Sequence, residues 1–534
     1  AARLTNRIST TLGVTLTLRD VFQHPTPATL ARRIADCSGR PALAPLTRAA
    51  NRPEPLPLSF AQQRLWLVAG LSEGGSAYNV PMVVRLEGEP DVAALRAAFG
   101  DVVARHEPLR TRFAAVDDGA PFQVVASPTE APWFEVRSVT ADSLDAELLT
   151  AAGHSFDLAA ELPSRVTLFR SGPARHTLLV LLHHIATDGQ SLRPLFADLS
   201  HAYAARLAGD VPDLAPLPVD YADYALWQRA ALEGPLPAEQ LGYWKQALEG
   251  IPEELGLIHD RPRPPVAGQR GGIVRLDFGA ELLKRVRELA RAERCTPFMV
   301  LQAGLAATLT RLGAGTDIPL GSPVAGRSDE ALADLVGFFV NTLVLRTDTS
   351  GNPTFRDLLA RVRATDLDAF AHQDVPFDLV LEAVNPTRSL ARHPLFQVCL
   401  ALESGPAAGP ELTGLRAGAA EPLATGAVKF DLEFLLHADE GSGLTGAVLY
   451  SSDLYEHATV ERIVAMLRRT LEQVAAGPEL PLSEIEVLGE VERRQVLEEW
   501  TGVRRDIGER TLTDRFEEQA RLRPQAPAVI FEGR

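Results

Sequence analysis

The sequence predicts an α/β fold over residues 58 to about 488. Three observations carry this. Strand-like apolar runs alternate with helical stretches of roughly 12 to 18 residues. The chain has 534 residues, 46% of them hydrophobic and 23% charged. That is enough for several buried cores, since one core usually serves roughly 100 to 200 residues. Midway, the segment Asp260 to Gly272 (DRPRPPVAGQRGG) is dense in Pro, Gly and Arg, after which the alternation resumes. Such punctuation marks a loop between two subdomains.

Taken in order, residues 1–37 show a short helical pattern, a turn at His24-Pro25-Thr26-Pro27, and an amphipathic helix over Ala28 to Ala35. Thr26 is placed as its cap and Pro27 in its first turn. Residues 38–56 lack apolar periodicity and read as a linker. Ser59 with Gln62 forms a capping box for a helix carrying Leu65, Val68 and Ala69. Strands are expected at Val80 to Leu86, Gln123 to Ala126 and Thr177 to Leu182, and a helix over Ser191 to Arg206. The second half opens with helices over Leu282 to Ala292 and Thr296 to Leu312, the latter entered through Thr296-Pro297 and stopped at Gly313. Leu482 to Gly502 is helical and charged, and Thr511 to Arg534 reads as an amphipathic helix followed by a strand.

Charge and composition exclude several functions. A formal net charge of -16 repels phosphate backbones and anionic lipid, so neither nucleic acid nor a membrane is an expected partner. No segment approaches the ~18 uninterrupted apolar residues of a membrane span. Cys37, Cys295 and Cys399 are widely spaced with no Cys-x-x-Cys pair, which fits a reducing cytoplasm. The first residues, AARLTNRISTTLG, lack the basic and apolar regions of a secretory leader and read as the interior of a helix from a larger protein. Lysine occurs only at Lys245, Lys284 and Lys429, a skew read as codon bias without functional content.

The strongest chemical signal is Leu178 to Gly189, LLVLLHHIATDG: an apolar strand running into two histidines, a short loop, Asp-Gly and a helix. Strand alternation sends His183 and His184 to opposite faces, so only one can occupy a given cleft. A histidine at a strand end is suited to proton transfer near neutral pH, Asp188 can orient a neighbouring group, and Gly189 allows close backbone approach to a substrate. The alternatives are a pair of core histidines, or a metal site, against which stands the lack of a third His-rich segment.

This segment stands in order with LSFAQQRLW (Leu58 to Trp66), RHEPLRTRF (Arg105 to Phe113), VDYADYALW (Val219 to Trp227), VGFFVNTLVLR (Val336 to Arg346), HQDVPFD (His372 to Asp378) and ARHPLFQV (Ala391 to Val398). The set closely resembles the motifs of nonribosomal peptide synthetase condensation domains. The resemblance implies two chloramphenicol acetyltransferase-like lobes, residues 57–259 and 260–488, forming a V-shaped pseudo-dimer around a tunnel. It makes residues 1–37 similar to the C-terminal helices of a peptidyl carrier protein, beginning beyond its attachment serine, so that no cofactor is bound covalently in this chain. Residues 489–510 then form a second linker, and residues 511–534 look like the truncated start of an adenylation domain.

The implied reaction is amide formation between an upstream acyl or peptidyl thioester and a downstream aminoacyl amine, each delivered on the 4'-phosphopantetheine arm of a carrier protein. The subtype that joins two L-configured residues is the one HHIATDG, DRPRPP and FVNTLVLR resemble. Epimerization, ester formation and a non-catalytic docking platform are the alternatives. By resemblance His184 is catalytic, as general base or as positioner of the amine, and His183 is a structural neighbour. Asp188 is structural and expected to pair with Arg327, whose alternative is a solvated loop residue. The Gly189 N–H is a candidate oxyanion donor. Gln190 stands where a bulky residue is common in the family. It is grouped with Ser191 and Asn341 as candidates for the tunnel, Asn341 being equally suited to cap backbone groups. Arg64, Trp66, Arg105, His106 and Arg110 are read as packing and ion-pair residues, Tyr221, Tyr224 and Trp227 as core, and His372 and Asp374 as a polar turn.

Overall fold

The computed structural model describes residues 2–14, 16–36, 45–71, 76–115, 119–234, 236–327, 329–405, 409–502 and 510–532. Ala1–Ile485 form one compact unit and Glu486–Arg534 a second.

Among the described residues, the first unit is built on two large sheets. One joins, in spatial order, Arg416–Ala417, Asn79–Glu87, Arg175–His183, Ser164–Gly172 and Trp133–Ser138, with Glu421–Pro422 also paired to Asn79–Glu87. The other joins Asn341–Asp348, Asp317–Val324, Val398–Ser404, Leu432–Asp439, Gly443–Ser451 and Gly271–Phe278. A small sheet of Leu56–Pro57, Phe122–Val125 and Thr111–Ala114 completes the set.

The strand Arg175–His183 explains its own sequence. It is central in its sheet and buried from His176 onward. Leu178, Val180 and Leu182 enter the core shared with Val84, Leu86 and Phe196, while Leu179 and Leu181 meet Phe169 and Leu148 on the other side. A strand covered on both faces reads as a continuous apolar run, which is what LLVLL is.

Helix ends follow local chemistry. Ser59 and Gln62 exchange reciprocal hydrogen bonds at 3.1 Å before the helix Phe60–Leu71. The Thr29 N–H donates to Thr26 Oγ1 at the entry of Pro27–Asp36. Thr296 Oγ1 accepts from the Met299 N–H to start Pro297–Arg311, a helix buried along most of its length.

Three expectations change. The linker is outside the described residues over 38–44, but from residue 45 it is tied down: Leu46 is buried, and Arg52 donates to Glu107, Asp220 and Asp223. The division at 259/260 is crossed, because Arg416–Ala417 and Glu421–Pro422 return to extend the first sheet, where Asn79–Glu87 would otherwise leave an open edge. In the second unit Thr511 caps the helix Leu512–Leu522 as expected, but residues 523–532 form no strand. Val529, Ile530 and Phe531 are exposed. The second linker holds the short helices Glu490–Arg494 and Gln495–Glu499, and residues 503–509 lie outside the described residues. Cys37 does too; Cys295 and Cys399 are free thiols. Among the described residues no helix is long and apolar enough to cross a membrane.

Candidate active site

Two single-turn 3-10 helices, His184–Ala186 and Gly189–Ser191, connect the strand Arg175–His183 to the helix Leu192–Leu207. They set His184, Thr187, Asp188 and Ser191 at the strand end. The His184 N–H donates to the Tyr78 carbonyl at 2.8 Å, which fixes the backbone where the two side chains part.

The histidines take opposite roles in hydrogen bonding. His184 Nδ1 lies 2.9 Å from the Thr187 carbonyl oxygen. A carbonyl only accepts, so Nδ1 carries the proton and a neutral ring keeps its lone pair on Nε2. The ring is partly open to solvent but densely surrounded, with Phe338 edge-on at 5.2 Å between centroids. Burial, reinforced by the Lys429 ammonium, pushes its pKa down to about 3, so the imidazole is neutral at physiological pH. His183 is buried, accepts at Nδ1 from the Ile185 N–H at 3.2 Å, and meets Phe156 edge-on at 5.8 Å. Burial first, then the charges of His184 and Lys429, lower it to about 3 as well.

Asp188 anchors a junction between the two halves of the chain. Its Oδ1 accepts from Arg327 Nη2 and from the Ser191 N–H, each at 2.9 Å, and its Oδ2 from the Phe339 N–H at 3.1 Å. Ser191 Oγ donates to Asp188 Oδ1 at 2.8 Å and accepts from Arg327 Nη2 and the Gly337 N–H. Arg327 Nη1 donates to the carbonyls of Leu332 and Leu335, both at 2.6 Å, and the guanidinium lies over the Phe339 ring. The Arg327 and Asp188 side chains are 5% and 1% exposed. Tyr221 adds a further tie by donating to the Phe338 carbonyl at 2.6 Å. The segment 337–339, including the phenyl ring beside His184, is therefore held on several sides.

The remaining candidates separate clearly. Gly189 and Gln190 are exposed, and the Gly189 N–H has no partner among the described residues. Ser191 is fully buried and its hydroxyl bonds within the junction. Asn341 lines a cavity of about 420 Å³ together with Phe338, Tyr224, Trp227 and Phe377. Its amide, however, donates to the carbonyls of Gln373 and Val375 and accepts from the Phe377 N–H. The backbone-capping alternative is thus the one its geometry takes. His184 is not part of that lining, whereas Phe338 both lines it and meets the His184 ring edge-on.

Arg105 and His106 pair with Asp198, Arg64 with Asp378, and Trp66 packs on the first core. Tyr221 and Tyr224 are buried. His372 stacks on Tyr243 at 4.0 Å, and Asp374 accepts from Gln240. Among the described residues no cluster of His, Cys, Asp and Glu is arranged to hold a metal ion. Two residues near His184 were not singled out from sequence: Phe338, inside the FFVNT block, and Lys429, whose rarity was the available signal.

Comparison with known proteins places this geometry. The family described as Condensation domain matches residues 54–497, and the family described as Phosphopantetheine attachment site matches residues 1–34. The chain is 47% identical over 538 residues to "Probable non-canonical nonribosomal peptide synthetase (NRPS) CymA" of Salinispora arenicola, covering 99% of this chain and 7% of that protein. It is 44% identical over 543 residues to a dimodular nonribosomal peptide synthase of Bacillus subtilis, covering all of this chain and 23% of that protein. It thus spans a small part of these relatives. Among solved structures it is similar to the X-domain from teicoplanin biosynthesis, with 36% identity, a TM-score of 0.77, and coverage of 84% of this chain and all of that one.

Proposed function

The chain belongs to the condensation-domain family of nonribosomal peptide synthetases, acyltransferases that form amide bonds, and from that premise we propose that the strand end at His184 is its reaction centre. The observation that carries the reading is the state of His184: neutral, oriented by Thr187, with Nε2 unprotonated and the ring partly open.

In this reading a donor thioester and an acceptor α-amine arrive on the phosphopantetheine arms of upstream and downstream carrier proteins. The amine lone pair attacks the thioester carbonyl carbon, the C–N bond forms, and the carbonyl π pair moves onto oxygen. Collapse restores C=O and breaks the C–S bond. The proton lost by nitrogen ends on the departing sulfur, so the products are an amide and a free pantetheine thiol. A thioester is already activated, so alignment supplies much of the acceleration, with effective molarities on the order of 10⁵ M or more. His184 Nε2 accepts a hydrogen bond from the attacking N–H. An imidazole held so far below its ordinary pKa is better suited to orienting a neutral amine than to storing a full proton. The unpartnered Gly189 N–H is the donor for the oxyanion. The junction of Asp188, Ser191 and Arg327 positions both. We assign residues 1–37 to a carrier remnant, residues 511–534 to the start of an adenylation domain, the substrates to the L-donor, L-acceptor class, and the setting to the cytoplasm.

The test supplies separately loaded donor and acceptor carriers and follows chain transfer by intact mass spectrometry. Dipeptidyl acceptor carrier should form with the wild type and fall at least about a hundredfold with His184→Ala. A docking platform is the second reading, favoured by the likeness to an X-domain that has been solved in complex with OxyB. Carrier binding without transfer in the wild type would select it.

A further inference from the structure

Three of the 53 basic residues are lysine, and one of these, Lys429, stands beside the proposed reaction centre. It precedes the strand Leu432–Asp439 of the second sheet, and its ammonium lies 4.9 Å from the centroid of the Tyr78 ring. Tyr78 sits at the start of the first sheet's strand Asn79–Glu87, and its carbonyl receives the His184 N–H. A cation from the second half of the chain is therefore seated on the residue that anchors the backbone of His184.

A carboxylate stands at the proposed centre too, the exposed Glu403 beside Gly189. Lys429 is exposed, and among the described residues no carboxylate lies within ion-pair distance of it. Its seat is the face of an aromatic ring, which attracts a cation without neutralising it. The titratable groups that feel it are His183 and His184 on the first sheet, and Glu433 and Cys399, which are paired in register on the second. Burial raises the Glu433 carboxyl and the Cys399 thiol, and the Lys429 ammonium opposes burial at each.

Amide formation at this place requires an uncharged amine. An α-ammonium has no lone pair, and its ordinary pKa of roughly 7.7 to 8 leaves much of it protonated at neutral pH. A cation near a titratable group disfavours a second positive charge there. Building on the amide-forming reading, we propose that Lys429 is a positioning residue that supplies a positive potential at the reaction centre. It keeps the attacking amine and the His184 imidazole uncharged.

The test measures initial transfer rates from about pH 6 to about pH 9 with the full chain and carriers loaded in trans, for wild type, Lys429→Met, Lys429→Arg and His184→Ala. Lys429→Met should move the acidic limb of the profile upward by about one pH unit, so transfer near pH 6.5 falls about tenfold while the rate near pH 9 stays close to wild type. Lys429→Arg retains the charge and should retain the profile. A loss of equal size at every pH, or an unshifted profile in the Met variant, overturns the proposal, since packing on Tyr78 alone would behave that way. Thermal midpoints of all variants accompany the rates, and Lys429→Gln replaces the Met variant if that protein fails to fold. His184→Ala separates the two claims. Wild-type transfer in that variant sinks the reading of the site, whereas an inactive His184→Ala beside an unshifted Met profile sinks only the role of Lys429.

Discussion

Removing Asp188 should cost more stability than any change at the chemically reactive positions, and a double-mutant cycle with Arg327 reports why. In Asp188→Ala the Arg327 Nη2, the Ser191 N–H and the Phe339 N–H each lose a carboxylate acceptor, inside a site where the two side chains are 1% and 5% exposed. Breaking one side of a buried, hydrogen-bonded pair costs roughly 3–5 kcal/mol because the surviving charge stays desolvated. That is a large fraction of the ~5–15 kcal/mol that holds a typical domain folded. In a unit this large it lowers the thermal midpoint by about 3–5 °C. Arg327→Ala should cost a similar amount, since it strands the Asp188 carboxylate. The double variant should recover part of the loss, with a coupling of about 1.5–3 kcal/mol. Urea unfolding of the four proteins measures this. Transfer by the single variants should fall at least about a hundredfold, because the segment carrying Phe338 loses its hold beside His184. Strict additivity of the two substitutions, or midpoints within about 1 °C of wild type, would refute the account of the junction.

Two further outcomes follow from the same geometry. In Gly189→Ala the new methyl meets only Glu403 Oε1, at 3.0 Å, the far end of an exposed side chain, so the thermal midpoint should stay within about 2 °C of wild type. Transfer should nevertheless fall about ten- to a hundredfold through kcat, because the methyl obstructs approach to the N–H assigned to the oxyanion. His393, packed against Phe396 and Phe377, is held near pKa 3 by burial, below its unfolded value of 6.5. Between those values the unfolded chain binds the extra proton, so this residue lowers stability as pH falls from about 6.5 toward 3. His393→Gln should therefore flatten the pH dependence of the urea midpoint between about pH 7 and pH 4.5, relative to wild type. Asp366, raised to about 7 by burial, works in the opposite sense, and Asp366→Asn should steepen the same curve.

Local chemistry was legible before any coordinates. LLVLL announces an apolar strand, Ser59 with Gln62 a helix entry, and Thr296-Pro297 another, because caps and periodicity depend on residues within about one turn of one another. The divergence of His183 and His184 follows from the two-residue repeat of a strand. Tertiary structure alone decided the rest. It spent Ser191 and Asn341 on distant backbone groups, returned residues 416–422 to the first sheet, and brought Lys429 from 245 positions downstream to the residue that anchors His184. The physical distinction is one of range. A turn or a cap is satisfied by its own neighbours in the chain, while a buried charge, a sheet edge or an electrostatic field is settled by whichever distant residue the packing brings within a few ångströms.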